Sequence, residues 1–232
     1  MINSLFIKVI ASSSKGNSYI ISDGTTTLLI ECGLSLKQLK RRTKYIVPSS
    51  IDACLITHYH QDHSKALKDM LNAGVDCYAL KETFEAKGVS NHYRAKIIKF
   101  GDCFMIGTLT IVVLEMKHDV PCCGFYIHST VTDEYLLFAT DTYLIKTKPA
   151  IVNYIMIEAN YDVRLVEDDE QKNRLFKSHM SIDTTIQYLK SIDLSNVLKI
   201  YLMHLSSRHS NEEDFKKRVQ AATGVRVVVC EE

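Results

Sequence analysis

One short segment of the chain brings together side chains that bind divalent metal ions. Thr57–His63 reads T-H-Y-H-Q-D-H and directly follows an apolar run typical of a strand. Alternate residues of an extended segment share a face, so His58 and His60 can point the same way. If a helix begins at His63, then Asp62 and His63 approach from another angle. Imidazole and carboxylate ligands suit zinc, manganese or iron, and the lack of thiolates favours an open catalytic site over a closed structural one.

A pair of ions needs more ligands, which we expect after other strands. His118, Asp141 and His204 each stand just past an apolar run. One such residue is ordinary, but all three together with the first cluster predict a metal centre at a common edge of the fold. Three other histidines belong to no such set of potential metal ligands, and we interpret them as surface or hydrogen-bonded residues: His92, His128 and His209.

The elements that must position these residues are short strands and a few helices. Hairpin signals dominate the first half, and helices alternate with strands in the second, which predicts an α/β fold of αββα layering. The predicted strands are Leu5–Ala11, Ser18–Ser22, Thr26–Ile30, Ala53–Ile56, Asp76–Ala79, Lys96–Phe100, Leu109–Glu115, Gly124–His128, Tyr135–Ala139, Tyr154–Glu158, Leu198–Leu202 and Val225–Val229. The predicted helices are Leu36–Arg42, His63–Ala73, Lys81–Lys87, Ile182–Ser191 and Asn211–Thr223. The last two helices are predicted to begin directly after Ser181 and Ser210, because serine is a favoured N-cap residue.

Composition bounds the remaining possibilities. A chain of 232 residues with 46% hydrophobic content fits one domain, residues 1–232, and no linker-like segment divides it. The formal net charge is only +1, so the protein as a whole has no strong electrostatic attraction for nucleic acid or an anionic membrane. The sequence shows no signal peptide and no apolar run long enough for a membrane span. Seven cysteines without a C-x-x-C pair fit reduced thiols and a cytoplasmic protein.

With these motifs the sequence resembles the metallo-β-lactamase superfamily over essentially its whole length. The resemblance implies a four-layer αββα sandwich that holds two divalent ions, zinc first and manganese as the alternative. It implies one ion at His58, His60 and His118. It implies the second ion at Asp62, His63 and His204, with Asp141 bridging the two. An Asp at position 141, where true β-lactamases often carry Cys, places the chain on the phosphodiesterase and nuclease side.

Two further segments resemble particular subgroups. Ile155–Asp162 and Lys177–Ser181 are similar to the Glu and His motifs of tRNase Z, which implies that Glu158 and His179 assist proton transfer, with Asp62 as a further catalytic group. The early segments Ala11–Tyr19 and Gly33–Leu39 look like those of the small WalJ/YycJ-type exonucleases, and this subgroup also resembles the phage anti-Pycsar phosphodiesterases. The chain reads Tyr161 where WalJ-type enzymes carry His, and it lacks the long arm with which tRNase Z grips tRNA.

Three functions follow as alternatives. The leading expectation is a phosphodiesterase for small cyclic nucleotides, of the anti-Pycsar kind, acting in the host cytoplasm if phage-encoded. The runner-up is a WalJ/YycJ-type exonuclease on single-stranded nucleic acid, and the third is a protein that sequesters a nucleotide uncleaved. The polar loop Ser12–Asn17 either offers backbone N–H groups to a phosphate or is a tight turn. The resemblance also implies a homodimer, with 83–96 as the proposed contact segment.

Overall fold

The computed structural model describes residues 4–230, with only the backbone at positions 169, 171, 172 and 174. The ends of the predicted domain, 1–3 and 231–232, lie outside the described residues. Within the described range the strands are β1 (Phe6–Ala11), β2 (Ser18–Ser22), β3 (Thr27–Ile30), β4 (Ala53–Leu55), β5 (Cys77–Leu80), β6 (Ala95–Ile98), β7 (Cys103–Ile106), β8 (Leu109–Met116), β9 (Cys122–Ser129), β10 (Tyr135–Ala139), β11 (Tyr154–Glu158), β12 (Lys199–Met203) and β13 (Val227–Val229). The helices are α1 (Leu36–Arg42), α2 (Gln61–Ser64), α3 (Leu67–Asn72), α4 (Lys81–Ala86), α5 (Asp169–Ser178), α6 (Ile182–Lys190) and α7 (Glu212–Thr223).

The strands form two sheets that pack face to face. The first sheet has the order β1-β2-β3-β4-β5-β6, and the second has the order β13-β12-β11-β10-β9-β8-β7. Successive side chains of a strand point to opposite faces, so each buried strand contributes to two cores. In β10, Leu136 and Phe138 enter the core between the sheets, whereas Leu137 and Ala139 enter the core on the outer face.

Helices cover both outer faces. On the first sheet, Leu39 of α1, Met70 of α3 and Phe84 of α4 are fully buried against the strands. On the second sheet, Leu189 of α6 and Phe215 of α7 do the same. The order of layers is therefore helix, sheet, sheet, helix, which confirms the predicted αββα sandwich.

Strand direction explains why the predicted site residues meet. β3 and β4 run parallel, as do β10, β11 and β12. β8 runs in the same direction as β10, because both pair antiparallel with β9. The carboxyl ends of these strands consequently reach one edge of the sandwich, where the loops carry the polar residues.

Several local predictions were wrong. The predicted helix His63–Ala73 is two short helices, α2 and α3, because the N–H of Ala66 donates to the carbonyl of Cys32 at 2.9 Å and not to the preceding helical turn. Strand β7 and helix α5 were not predicted. Helix α7 is capped by the side chain of Asn211, whose Oδ1 accepts from the backbone N–H of Asp214 at 3.0 Å, and not by Ser210. The predicted cap of α6, Ser181, is confirmed by its hydrogen bond from the N–H of Thr184.

No helix in the described part of the chain is long and apolar enough to cross a bilayer.

Candidate metal centre

The histidine segment turns at the end of β4. His60 is the N-cap residue of α2, and the N–H of His63 donates to the carbonyl of His60 at 3.0 Å. The turn is held from the other side by the Ser12–Asn17 loop, whose Asn17 N–H donates to the carbonyl of Asp62 at 2.7 Å. A Cβ on Gly33 would lie 1.6 Å from that same carbonyl oxygen, so only glycine permits this approach.

The first group of potential ligands combines three histidines and one aspartate. One donor atom from each of His58, His60, His118 and Asp141 lies within 4.8 Å of the others. His118 Nδ1 donates to the carbonyl of Ser178 at 2.8 Å, which leaves the lone pair of Nε2 facing the group. The Nε2 atom of His58 is fully buried and has no hydrogen-bond partner among the described residues. A buried nitrogen without a partner is costly, and a bound cation would satisfy it.

The second group consists of Asp62, His63 and His204, again with donor atoms within 4.8 Å. The Oδ2 atom of Asp62 lies 3.2 Å from the Nε2 atoms of both His63 and His204. Asn17 Nδ2 donates to this carboxylate at 3.3 Å and so fixes its orientation. Each of the three side chains can therefore offer one donor atom to the same ion.

Asp141 stands between the two groups. Its Oδ1 lies 3.4 Å from His63 Nε2, and its Oδ2 lies 3.9 Å from His58 Nε2. One carboxylate thus presents one oxygen to each group, as a bridging ligand does. Asp141 and His204 both have left-handed backbone conformations, with φ of 49° and 54°, which non-glycine residues seldom adopt.

The charges of the site favour a bound cation. Burial alone would raise the pKa of Asp141, but His204 and His63 hold it well below its ordinary value. Burial would likewise lower the pKa of His204, yet Asp141, Asp62 and Glu158 raise it to about 10. The carboxylates therefore attract positive charge to this point, which either protons or metal ions can supply. Burial lowers the pKa of His58 well below 6.5, so this imidazole is neutral and has a lone pair to donate.

Glu158 and His179 form a pair beside the second group. His179 Nδ1 donates to Glu158 Oε1 at 2.6 Å, and the other oxygen, Oε2, accepts from the N–H groups of Thr142 at 3.0 Å and Met180 at 3.2 Å. The carboxylate is fully buried, and His179 is partly exposed to the cavity. Burial lowers the pKa of His179, but the charge and hydrogen bond of Glu158 outweigh it, so the pKa lies above 6.5.

Two acidic residues of the site were not predicted from the sequence. Glu31 follows β3, is fully buried, and places Oε1 3.4 Å from His63 Nδ1. It carried the same signal as His118, a polar residue just past an apolar run. Asp119 is half-exposed, and its Oδ1 lies 2.9 Å from His118 Nε2. Its adjacency to His118 was the only sequence signal for it.

A cavity of about 360 Å³ opens over the two groups, and we call it the metal cavity. Its wall includes Asp62, His118, Asp141, His179 and His204. All seven predicted ligands and the Glu158–His179 pair thus meet at one edge of the sandwich. The arrangement can hold metal ions. It also presents the imidazole of His179, which is hydrogen-bonded to the buried carboxylate of Glu158, to a molecule bound in the cavity.

Comparison with known proteins agrees with this geometry. Residues 26–205 match the family described as a β-lactamase superfamily domain. The chain is 27% identical over 223 residues to exodeoxyribonuclease WalJ of Streptococcus pneumoniae, covering 88% of this chain and 83% of that protein. It is 23% identical over 225 residues to exodeoxyribonuclease YycJ of Bacillus anthracis, covering 90% and 85% respectively.

Its fold is similar to the metallo-β-lactamase fold protein YhfI from Bacillus subtilis, with a TM-score of 0.77, 17% identity, and coverage of 97% of this chain and 95% of that one. The residues that match the family include both groups of potential ligands and Asp141, which lies between them. The chain therefore belongs to the metallo-β-lactamase superfamily and is a metal-dependent hydrolase.

Proposed function

We propose that this hydrolase is a dinuclear phosphodiesterase that cleaves small cyclic nucleotides. The observation that carries the proposal is the pair of ligand groups joined by Asp141, with one carboxylate oxygen turned to each. Zinc suits the imidazole-rich donor set, and manganese is the alternative. Two bound divalent ions would activate water and neutralise the charge of a phosphodiester.

The protein's own groups account for the remaining steps. Cleavage of a phosphodiester releases an alkoxide, which needs a proton. His179 turns its Nε2 edge to the metal cavity, since its Nδ1–H is bound to Glu158. Glu158 stabilises the protonated imidazole, and His179 delivers the proton to the leaving oxygen. Asp62 lines the same cavity, and Asn17 holds its carboxylate through a hydrogen bond of 3.3 Å.

The dimensions of the site support a small substrate. The metal cavity of about 360 Å³ lies near the lower end of ligand-pocket volumes, which run from about 300 to 1,000 Å³. The near-neutral net charge gives no overall attraction for a long polyanion. If a phage encodes the chain, its role is degradation of a cyclic-nucleotide immune signal in the host cytoplasm.

The test is to incubate zinc- or manganese-loaded protein with cyclic CMP, UMP, AMP and GMP, and to analyse the products by chromatography. We expect linear mononucleotides from at least one of the four, and none from His58→Ala. His128→Ala is the matched control, because His128 pairs with Asp133 at 3.0 Å on the opposite part of the second sheet. Absence of linear product with the wild-type protein contradicts the proposal. Recovery of intact ligand after denaturation would instead indicate sequestration.

A second candidate is exonuclease activity on single-stranded nucleic acid. It is favoured by the similarity to WalJ and YycJ, which extends over 88% and 90% of this chain. End-labelled single-stranded DNA in the same assay distinguishes the two candidates. Shortening of the oligonucleotide without cleavage of any cyclic nucleotide would select the exonuclease.

A further inference from the structure

A second depression, which we call the side cleft, adjoins the metal cavity. It has a volume of about 300 Å³. Ser14, His179 and His204 line both spaces, so the side cleft is continuous with the proposed site of reaction. A molecule whose phosphate lies between the ligand groups has room to extend into this space.

The lining of the side cleft is apolar on one part and polar on another. Leu175 of α5 and Leu205 supply the apolar part, and Ser207, Arg208 and His209 supply the polar part. A nucleoside has the same character, because the faces of the base are apolar and its edge and sugar carry hydrogen-bonding groups.

Arg208 is presented by a well-anchored loop. The N–H of Ser206 donates to the carbonyl of Asn160 at 2.8 Å, and the N–H of Asp162 donates to the carbonyl of His209 at 2.8 Å. The hydroxyl of Ser206 accepts from the N–H of Arg208 at 3.4 Å and of His209 at 3.2 Å. The loop is thus fixed at both ends and in its middle, and the Arg208 side chain projects as an exposed group from it.

The guanidinium of Arg208 forms no ion pair with a carboxylate of the described residues, unlike those of Arg164 and Arg218, which both pair with Asp162. An arginine presents two parallel N–H groups that match two neighbouring acceptors on a planar ligand. A single arginine in the lining of a partly apolar cleft fits the edge of a base better than a phosphate, which is usually bound by several cations or backbone N–H groups.

We propose that the side cleft is the subsite for the nucleoside part of the substrate, with Leu175 and Leu205 against the base and Arg208 donating to acceptors on its edge. This inference rests on the proposed phosphodiesterase function and specifies which substrates it accepts. The enzyme acts on nucleotides and discriminates against phosphodiesters that lack a base.

The test compares binding of 5′-mononucleotides with binding of inorganic phosphate, by calorimetry on the zinc-loaded protein. We expect the wild-type protein to bind at least one mononucleotide more tightly than phosphate. Arg208→Ala should weaken the mononucleotide by roughly 5- to 100-fold and bring it close to phosphate. Arg208→Lys should recover little of the loss, because lysine keeps the charge without the planar pair of donors. Arg226→Ala, an exposed arginine at the edge near β13, is the matched control.

Two results would overturn the inference: equal affinity of the wild-type protein for mononucleotides and phosphate, or an equal loss for both ligands in Arg208→Ala. Circular dichroism verifies that each variant is folded. Hydrolysis of the four cyclic nucleotides tests the phosphodiesterase function separately from binding. A protein that binds mononucleotides through Arg208 but cleaves none of the cyclic nucleotides retains the subsite and loses the proposed function.

Discussion

Glu158→Gln weakens the proposed proton donor without removing it. In the native site the carboxylate accepts from His179 Nδ1 at 2.6 Å and stabilises the protonated ring. The side-chain oxygen of glutamine can still accept from the N–H groups of Thr142 and Met180, so its NH₂ group must face His179. An NH₂ group donates, and it therefore opposes a proton on Nδ1 and disfavours the imidazolium. Hydrogen bonds to charged groups contribute about 1.5–3 kcal/mol, which predicts a loss of roughly 10- to 100-fold in kcat.

The assay compares two leaving groups. Cleavage of a cyclic nucleotide releases an alkoxide that needs a proton, whereas bis(p-nitrophenyl) phosphate releases a weakly basic phenolate that does not. Glu158→Gln should therefore lower kcat for the cyclic nucleotide much more than for the aryl ester. Asp133→Asn is the matched control, because this exposed carboxylate accepts from His128 at 3.0 Å far from the metal cavity. Equal losses on both substrates, with zinc content reduced, would show that Glu158 supports the metal site and refute its role in proton transfer.

Three other perturbations test the rest of the site. Elemental analysis should find about two divalent ions per chain in the wild-type protein and at most one in Asp141→Ala, because each carboxylate oxygen faces a different ligand group; two ions retained by the variant would contradict bridging. Gly33→Ala should cost about 3 kcal/mol in urea unfolding and reduce metal content, since its Cβ would lie 1.6 Å from a backbone oxygen. Gly74→Ala meets no atom within 4 Å and should cost only about 1 kcal/mol from its positive φ, and equal effects at the two glycines would refute the steric argument. Asp162→Asn should cost about 2 kcal/mol at pH 7, because the hydrogen bond from Arg164 helps to lower the pKa of this carboxyl from 3.8 to about 2. That stabilisation is complete above the unfolded-state pKa and is lost as pH falls toward 2, so the difference between wild type and variant in unfolding free energy should shrink below about pH 4; a difference independent of pH would show that charge is not its source.

The sequence predicted which polar residues lie together at the sheet edge, but it predicted some of the surrounding helices and strands wrongly. His118, Asp141 and His204 could be selected because each follows an apolar strand, and strands of one direction end at one edge. Glu31 carried the same signal, but its partner His63 is 32 positions away and the contact depends on tertiary packing. Roles as metal ligands, metal identity, dimerisation and cytoplasmic location stay predictions.

The missed helix and strand have separate physical causes. Helix α5 begins in an acidic segment with no apolar periodicity, and it is held by contacts formed only in the fold, such as Phe176 against the ring of Tyr161 at 6.1 Å between centroids. Strand β7 has only four residues and gains its hydrogen bonds by pairing with β8 across a tight turn. The Arg208 loop could not be placed beside His179 from sequence, because neither periodicity nor spacing links these two residues.

The unusual backbone at positions 141 and 204 has a consequence for how this protein can change. A residue with a Cβ in the left-handed region costs roughly 1–2 kcal/mol relative to glycine. Glycine at either position would relieve that strain, but it would leave the buried partners of Asp141 or His204 without their counter-charge, which costs more than the strain. The charges that meet at this edge therefore hold the strained backbone in place, and replacement by glycine should lower the free energy of unfolding despite the easier backbone conformation.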